Sequence, residues 1–159
     1  MSSSPKTLAR ADGVMLARLQ QDARVTIDAL AHEAGLSAST AQRRLQRLRE
    51  VGVIAGEVVI VEPKAAGMPL TLLVELELDH DRPEHLPGLH SWIACTGEVQ
   101  SAWQVTGRGD YVLVVLAASI ESFDEFMTEL MAANRNVRKF TTSVALKTLK
   151  RSLVVPISP

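Results

Sequence analysis

Between Ser37 and Glu50 the chain places hydroxyls and guanidinium groups at a spacing that suits a polyanion: Ser37, Ser39 and Thr40, then Arg43, Arg44, Arg47 and Arg49 ahead of the first acid. A hydroxyl can donate to a phosphate or a base edge. A guanidinium fork matches two acceptors at once, on a guanine edge in the major groove or on a phosphate. At about 100° per residue, Ala41, Leu45 and Leu48 share a stripe that must face protein, and Ser39, Thr40, Arg43 and Arg47 share the opposite one. Arg44 and Arg49 fall on the flanks, where the DNA backbone or the packing of their own stems takes them. A charge run on a helix is often only a solvated face, so the elements around it decide the reading.

Those elements have the marks of a helix-turn-helix. Thr26 is a good N-cap, and Val25 and Leu30 stand where a hydrophobic staple closes over it. Gly35 can enter the left-handed conformation that ends a helix, and Ser37 can cap the next one at once. Upstream, Asp12 is expected to cap a supporting helix with Met15, Leu16 and Leu19 on one side, behind an arm, residues 1–11, whose Lys6 and Arg10 could reach phosphates. Downstream, Gly52 precedes Val53 and Ile54, and the β-branched run EVVIVEP at 57–63 reads as a wing or linking strand.

Bulk properties frame this. The chain has 159 residues, 47% hydrophobic and 22% charged, the composition of an ordinary globular protein. No stretch approaches the apolar length of a membrane span, the opening MSSSPKTLAR lacks the apolar core of a signal peptide, and a lone Cys95 cannot form an internal disulfide. A reducing cytoplasm, at the nucleoid, is the expected location. Net charge is −1 overall but divides unevenly: residues 1–56 carry eight Lys and Arg against five Asp and Glu, a net of +3, and residues 57–159 carry nine against thirteen, a net of −4. A basic head on an acidic body implies that DNA meets only the head.

After the loop Lys64-Ala65-Ala66-Gly67-Met68-Pro69 the apolar period changes from helical to two. Leu72, Val74, Leu76 and Leu78 alternate with Leu73, Glu75 and Glu77, the pattern of a half-buried strand. A helix follows from Pro83 to about Cys95, then strands over 98–106 and 110–117 joined through Gly107-Arg108-Gly109. Ser122 and Glu125 suggest a capping box for a helix with Phe123, Phe126, Met127, Leu130 and Met131 on one face. Alternation resumes over 137–149. The order β-α-β-β-α-β predicts a ferredoxin-like antiparallel sheet with both helices on one face, and the overall class is α+β. The expected divisions are 1–56 for a winged helix-turn-helix, 57–69 for the link and 70–159 for the sheet domain. The sheet's open face, with Leu73 only partly screened by polar neighbours, predicts dimerisation sheet to sheet.

Other chemistry is weaker. His80, His85 and His90 lie near Asp79, Asp81 and Glu84, but none of the histidines is paired at the helical spacing of a zinc motif, so no metal and no cofactor is expected. Cys95 is expected to be a small buried residue, and Trp92 and Trp103 core or interface aromatics. No nucleophile with a base beside it is visible, which argues against an enzyme.

The order of parts resembles the Lrp/AsnC family of feast/famine transcriptional regulators over about residues 12–149, on three motifs: GLSASTAQRRLQRLREVGVI, the glycine and proline boundary loop, and VTGRGDYVLVV. The resemblance implies a dimer or an assembly of dimers that bends or wraps double-stranded DNA, and a small effector such as an amino acid between C-terminal domains. It also implies an effector loop at Gly107, Arg108, Gly109, Asp110 and Tyr111, with Thr142 on the last strand facing the same region. Gly107, Asp110 and Tyr111 match the family pattern, whereas Arg108 and Gly109 replace an acidic and an aromatic position. One carboxylate thereby becomes a guanidinium, so an acidic ligand, or none, is expected. Amides of a glycine loop can hold an α-carboxylate and Asp110 an α-ammonium; alternatively the loop is only a turn in which Asp110 satisfies backbone amides. The leading expectation is a sequence-specific DNA-binding regulator responding to an amino acid or similar molecule. The alternative is an effector-independent architectural DNA-binding protein.

Overall fold

The computed structural model describes residues 8–79 and 83–157. The chain divides into two units: Met1–Val59 together with Lys150–Pro159, and Ile60–Leu149.

The first unit carries three helices: α1 (Arg10–Leu19), α2 (Ile27–Ala34) and α3 (Ala38–Glu50). Its core is small, with Met15, Leu30, Ala31, Ala41 and Leu45 buried together and Val25, Leu36 and Ile54 packed around them. Val25 and Leu30, the two staple positions, thus belong to one cluster. Asp12 does not cap α1. The helix begins at Arg10 with no side-chain cap, which leaves Asp12 in the first turn, where its charge still suits the helix dipole. Residues 57–62 form no strand. Among the described residues their main-chain groups have no neighbouring strand to pair with, and β-branched sequence alone does not make a sheet; Val58, Val59, Ile60 and Val61 are exposed. Lys6 lies outside the described residues. By its contacts the tail from Lys150 groups with this unit.

The second unit is built as β1 (Leu70–Leu78), a short 3-10 turn (Pro83–His85), α4 (Leu86–Cys95), β2 (Val99–Gln104), β3 (Tyr111–Ala117), α5 (Ile120–Ala133) and β4 (Val137–Val144). The strand order is β2-β3-β1-β4, antiparallel throughout. Alternation sends Leu72, Val74, Leu76 and Leu78 to the helix-covered side, where they bury with Leu89, Tyr111, Leu113, Val115, Phe123, Phe126, Met127 and Leu130. Trp92 joins this core with its ring 5.5 Å from that of Phe126. On the opposite side Leu73 is 43% exposed, and Trp103 is 54% exposed on the edge strand β2.

Three expectations are corrected here. The capping box of α5 is Ser119 with Ser122, not Ser122 with Glu125: Ser119 Oγ accepts from Ser122 N–H at 3.2 Å and Ser119 N–H donates to Ser122 Oγ at 3.0 Å. The last strand ends at Val144, so Leu146 is fully exposed. Cys95 is also exposed, at the last turn of α4.

Candidate nucleic-acid interface and effector loop

The reading helix is set by local chemistry. Thr26 Oγ1 accepts from Ala29 N–H at 3.3 Å to start α2. Gly35 closes it at φ 65°, and Leu36 N–H returns to Ala31 O at 2.8 Å. A Cβ at Gly35 would meet nothing within 4 Å, so glycine serves the left-handed backbone and not the packing. Ser37 Oγ then accepts from Thr40 N–H at 3.3 Å and donates to Thr40 Oγ1 at 2.9 Å. Such a cap stabilises a helix by about 1 kcal/mol. Ser37, expected at the DNA, therefore has a structural task, and Ser39 stands beside it with Oγ atoms 3.2 Å apart.

The four arginines of α3 separate into two kinds. Ala41, Leu45 and Leu48 are buried, which turns Arg43 and Arg47 outward. Neither Arg43 nor Arg47 has an ion-pair or hydrogen-bond partner among the described residues. Arg44 is different: its Nη1 lies 3.0 Å from Asp12 Oδ1, in a pair whose side chains are 38% and 17% exposed. It links α3 to α1 through its guanidinium, a partner expected neither from the DNA backbone nor from the packing of its stem. Arg49 donates through Nε to Glu57 Oε1 at 3.1 Å.

The β2–β3 hairpin grips the end of β1. The pairing of β1 with β3 stops at Leu76 opposite Tyr111, which would leave Leu78 N–H unsatisfied on that side. Asp110 fills the gap. Its Oδ2 accepts from Leu78 N–H at 2.7 Å, its own N–H donates to Leu76 O at 2.8 Å, and its carbonyl accepts from Val105 N–H at 2.9 Å. Gly107 takes φ 130°, a conformation side chains resist. Gly109 is needed for closeness, since a Cβ there would stand 3.2 Å from Leu76 O. Tyr111 is buried, with its hydroxyl 2.7 Å from His90 Nε2. Burial above all, and then the Asp110 charge, raises its pKa from the usual 10.0.

Thr142 lies opposite Val74 across β1, and its Oγ1 is buried without a partner. Beyond the hairpin, Glu77 accepts from Arg138 Nη2 at 2.8 Å and Lys139 Nζ at 3.0 Å. The Lys139 hydrogen bond is the main cause that lowers its pKa; desolvation opposes, and the charges of Lys139, Arg138 and Arg108 add. Two cations thus pair with this carboxylate, and the charge of Arg108 adds to theirs.

A cleft of about 300 Å3 opens beside the base of this hairpin, lined by His90, Ile93, Ala102, Trp103, Gln104 and Tyr111. Of the residues expected at an effector it takes only Tyr111. His90 is placed by its partner Tyr111; among the described residues no group of three or more His, Cys, Asp or Glu side chains could hold a metal ion. His80 and Asp81 lie outside the described residues.

A helix-turn-helix with an outward arginine pair, carried on the same chain as a ferredoxin-like sheet, defines a class of DNA-binding proteins with an appended ligand-binding-type domain. Residues 8–55 match the family model for winged helix-turn-helix DNA-binding, and residues 71–155 match the one for the Lrp/AsnC ligand binding domain. The chain belongs to the Lrp/AsnC family of transcriptional regulators. It is similar to an uncharacterised HTH-type transcriptional regulator, y4tD, of Sinorhizobium fredii, with 39% identity over 94% of this chain and 89% of that one. It is also similar to the leucine-responsive regulatory protein of Rhizobium meliloti, at 32% over 92% and 94%. Among solved structures, a feast or famine regulatory protein of Mycobacterium tuberculosis complexed with L-methionine superposes at TM-score 0.81 with 31% identity, covering 91% of this chain and 96% of that one.

Proposed function

We propose that this regulator acts in the cytoplasm, without enzymatic activity, as a dimer or an assembly of dimers. Arg43 and Arg47 contact the major groove, with Ser39 and Thr40 beside them at the helix start. The second unit binds an amino acid or similar small effector at Gly107–Tyr111 and Thr142. The observation that carries the DNA part is the division of the arginines: Arg44 and Arg49 are held by acids, whereas Arg43 and Arg47 project from the face opposite the core. Unpaired outward guanidinium groups on a helix packed this way are what base edges and phosphates select. The effector part is supported by the buried, unpartnered Thr142 hydroxyl and by relatives whose names record leucine or methionine. The cations around Glu77 favour a ligand with negative charge on that side.

The test is affinity for a duplex selected in vitro with the full chain, measured across a salt series. Arg43→Ala and Arg47→Ala each weaken specific binding roughly tenfold or more where the side chain reads a base, or lower the salt slope by about 1 where it holds a phosphate. Unchanged affinity and slope in both variants refute the assigned face. A second reading, an effector-independent architectural protein, is favoured by one observation: Asp110 already serves Leu78 N–H. Calorimetric titration with the twenty amino acids separates the two, since heat from any of them excludes the second.

A further inference from the structure

The chain passes between its two units twice, at Val59/Ile60 and again at Leu149/Lys150. The second passage returns to the head, and the contact it makes there is specific. Gln20, at the C-terminal end of α1, presents its carboxamide to the backbone of Val155: Nε2 donates to Val155 O at 3.0 Å, and Val155 N–H donates to Oε1 at 2.7 Å. A carboxamide that meets both polar groups of one residue does the work of a neighbouring β-strand. Gln20 is itself held, its N–H donating to Leu16 O at 3.0 Å. On the tail side, Ser152 Oγ accepts from Val154 N–H at 3.1 Å and Pro156 restricts the next backbone angle. Segments that must pair lose less entropy when both are partly set beforehand.

We propose that the end of α1 is a docking surface for the chain's own C-terminal tail, and that the docked tail is a second tether holding the DNA-binding head to the sheet unit. The proposal rests on the reading above that two copies engage one duplex. A head on a single linker samples a larger volume, which lowers the effective concentration at which the second head of a dimer meets its half-site; a second tether restores it. Both partners of the Gln20 contact reach water, so docking is reversible.

The experiment uses the full chain, Gln20→Ala, Gln20→Glu and a truncation after Leu149. Each is titrated at fixed salt with a duplex carrying one in-vitro-selected half-site and with a duplex carrying two, and amide exchange is followed at Val155 in the full chain and the two Gln20 variants. For Gln20→Ala and the truncation, one-site affinity stays within twofold of the parent while two-site affinity falls roughly tenfold. Gln20→Glu, which keeps the acceptor for Val155 N–H but loses the donor to Val155 O, falls between. In Gln20→Ala the Val155 amide exchanges faster. Unaltered exchange in Gln20→Ala overturns the docking. Faster exchange with an unaltered two-site to one-site ratio, or equal losses on both duplexes, overturns the tether. A parent protein with no advantage on two sites over one overturns the dimeric DNA reading, and the tether falls with it.

Discussion

Arg44 offers the sharpest test of how the reading helix is divided between structure and recognition. Removing it in Arg44→Ala breaks the 3.0 Å pair with Asp12 and leaves that carboxylate, only 17% exposed, without its cation. An exposed ion pair contributes about 0.2–1 kcal/mol. Arg44 is more than a third exposed, so its own share belongs in the lower half of that range. The half-buried Asp12 adds a desolvation cost, and the sum is about 1 kcal/mol. For a unit of this size that lowers Tm by roughly 4–8 °C. Asp12→Ala should cost similarly, and the double variant should lose less than the two together by roughly 0.5–1 kcal/mol. The assay is thermal unfolding of the four proteins beside DNA affinity of the same samples. Arg47→Ala provides the opposite signature, with unchanged Tm and weakened binding. An Arg44→Ala variant with parental Tm and an affinity loss equal to that of Arg47→Ala would refute the reasoning, because it would show the guanidinium spent on DNA.

Two further outcomes follow from the second unit. Tyr111 is the chain's only tyrosine, so tyrosinate absorbance titrates it alone: the midpoint lies above 10.0 in the native protein and returns to the ordinary value in denaturant. The folded pKa is the raised one, so stability is complete below the unfolded value and declines as pH rises from there through the folded value; a native midpoint at or below the denatured one contradicts the burial argument. Gly109→Ala pushes a methyl group to 3.2 Å from Leu76 O, a carbonyl that already accepts from Asp110 N–H and cannot yield freely. The variant should lose about 1 kcal/mol, read as a lower unfolding temperature, whereas an unchanged temperature would mean the hairpin slides without cost.

Much of this architecture was legible because its causes are local. Thr26, Gly35 and Ser37 act within four residues of themselves, and the alternation of Leu72, Val74, Leu76 and Leu78 states its buried face directly. What stayed hidden depends on partners far away in the chain. Asp12 reads as a cap until α3 brings Arg44 to it across 32 residues, and of the two readings of Asp110, ligand for an ammonium or partner of backbone amides, Leu78 N–H realises the second without removing the first. The box of α5 was displaced by three residues because Ser119 and Ser122 both satisfy the local rule, and the glutamate at 125 made the later one look better. Cys95 was expected inside on residue type, but its place on the last turn of α4 turns it to solvent. The tail's contact is hidden for the same reason as that of Asp12: nothing near Val155 announces Gln20, 135 residues earlier.

The hairpin bears on how an effector could act at all. Asp110 joins three pieces of backbone, at Val105, Leu76 and Leu78, and the next residue, Tyr111, reaches α4 through His90. A ligand ammonium that takes Asp110 Oδ2 competes with Leu78 N–H and loosens the end of β1, whereas one that takes Oδ1 leaves that bond in place. A small molecule alters DNA affinity only to the extent that it prefers one arrangement of the protein over another, and the end of β1 is one element whose arrangement a ligand at Asp110 Oδ2 would bias. Amide exchange at Leu78 is therefore the quantity to follow during an amino-acid titration. Acceleration there on binding marks a ligand that takes Asp110 Oδ2, whereas binding with Leu78 still protected means the effector leaves that oxygen on β1.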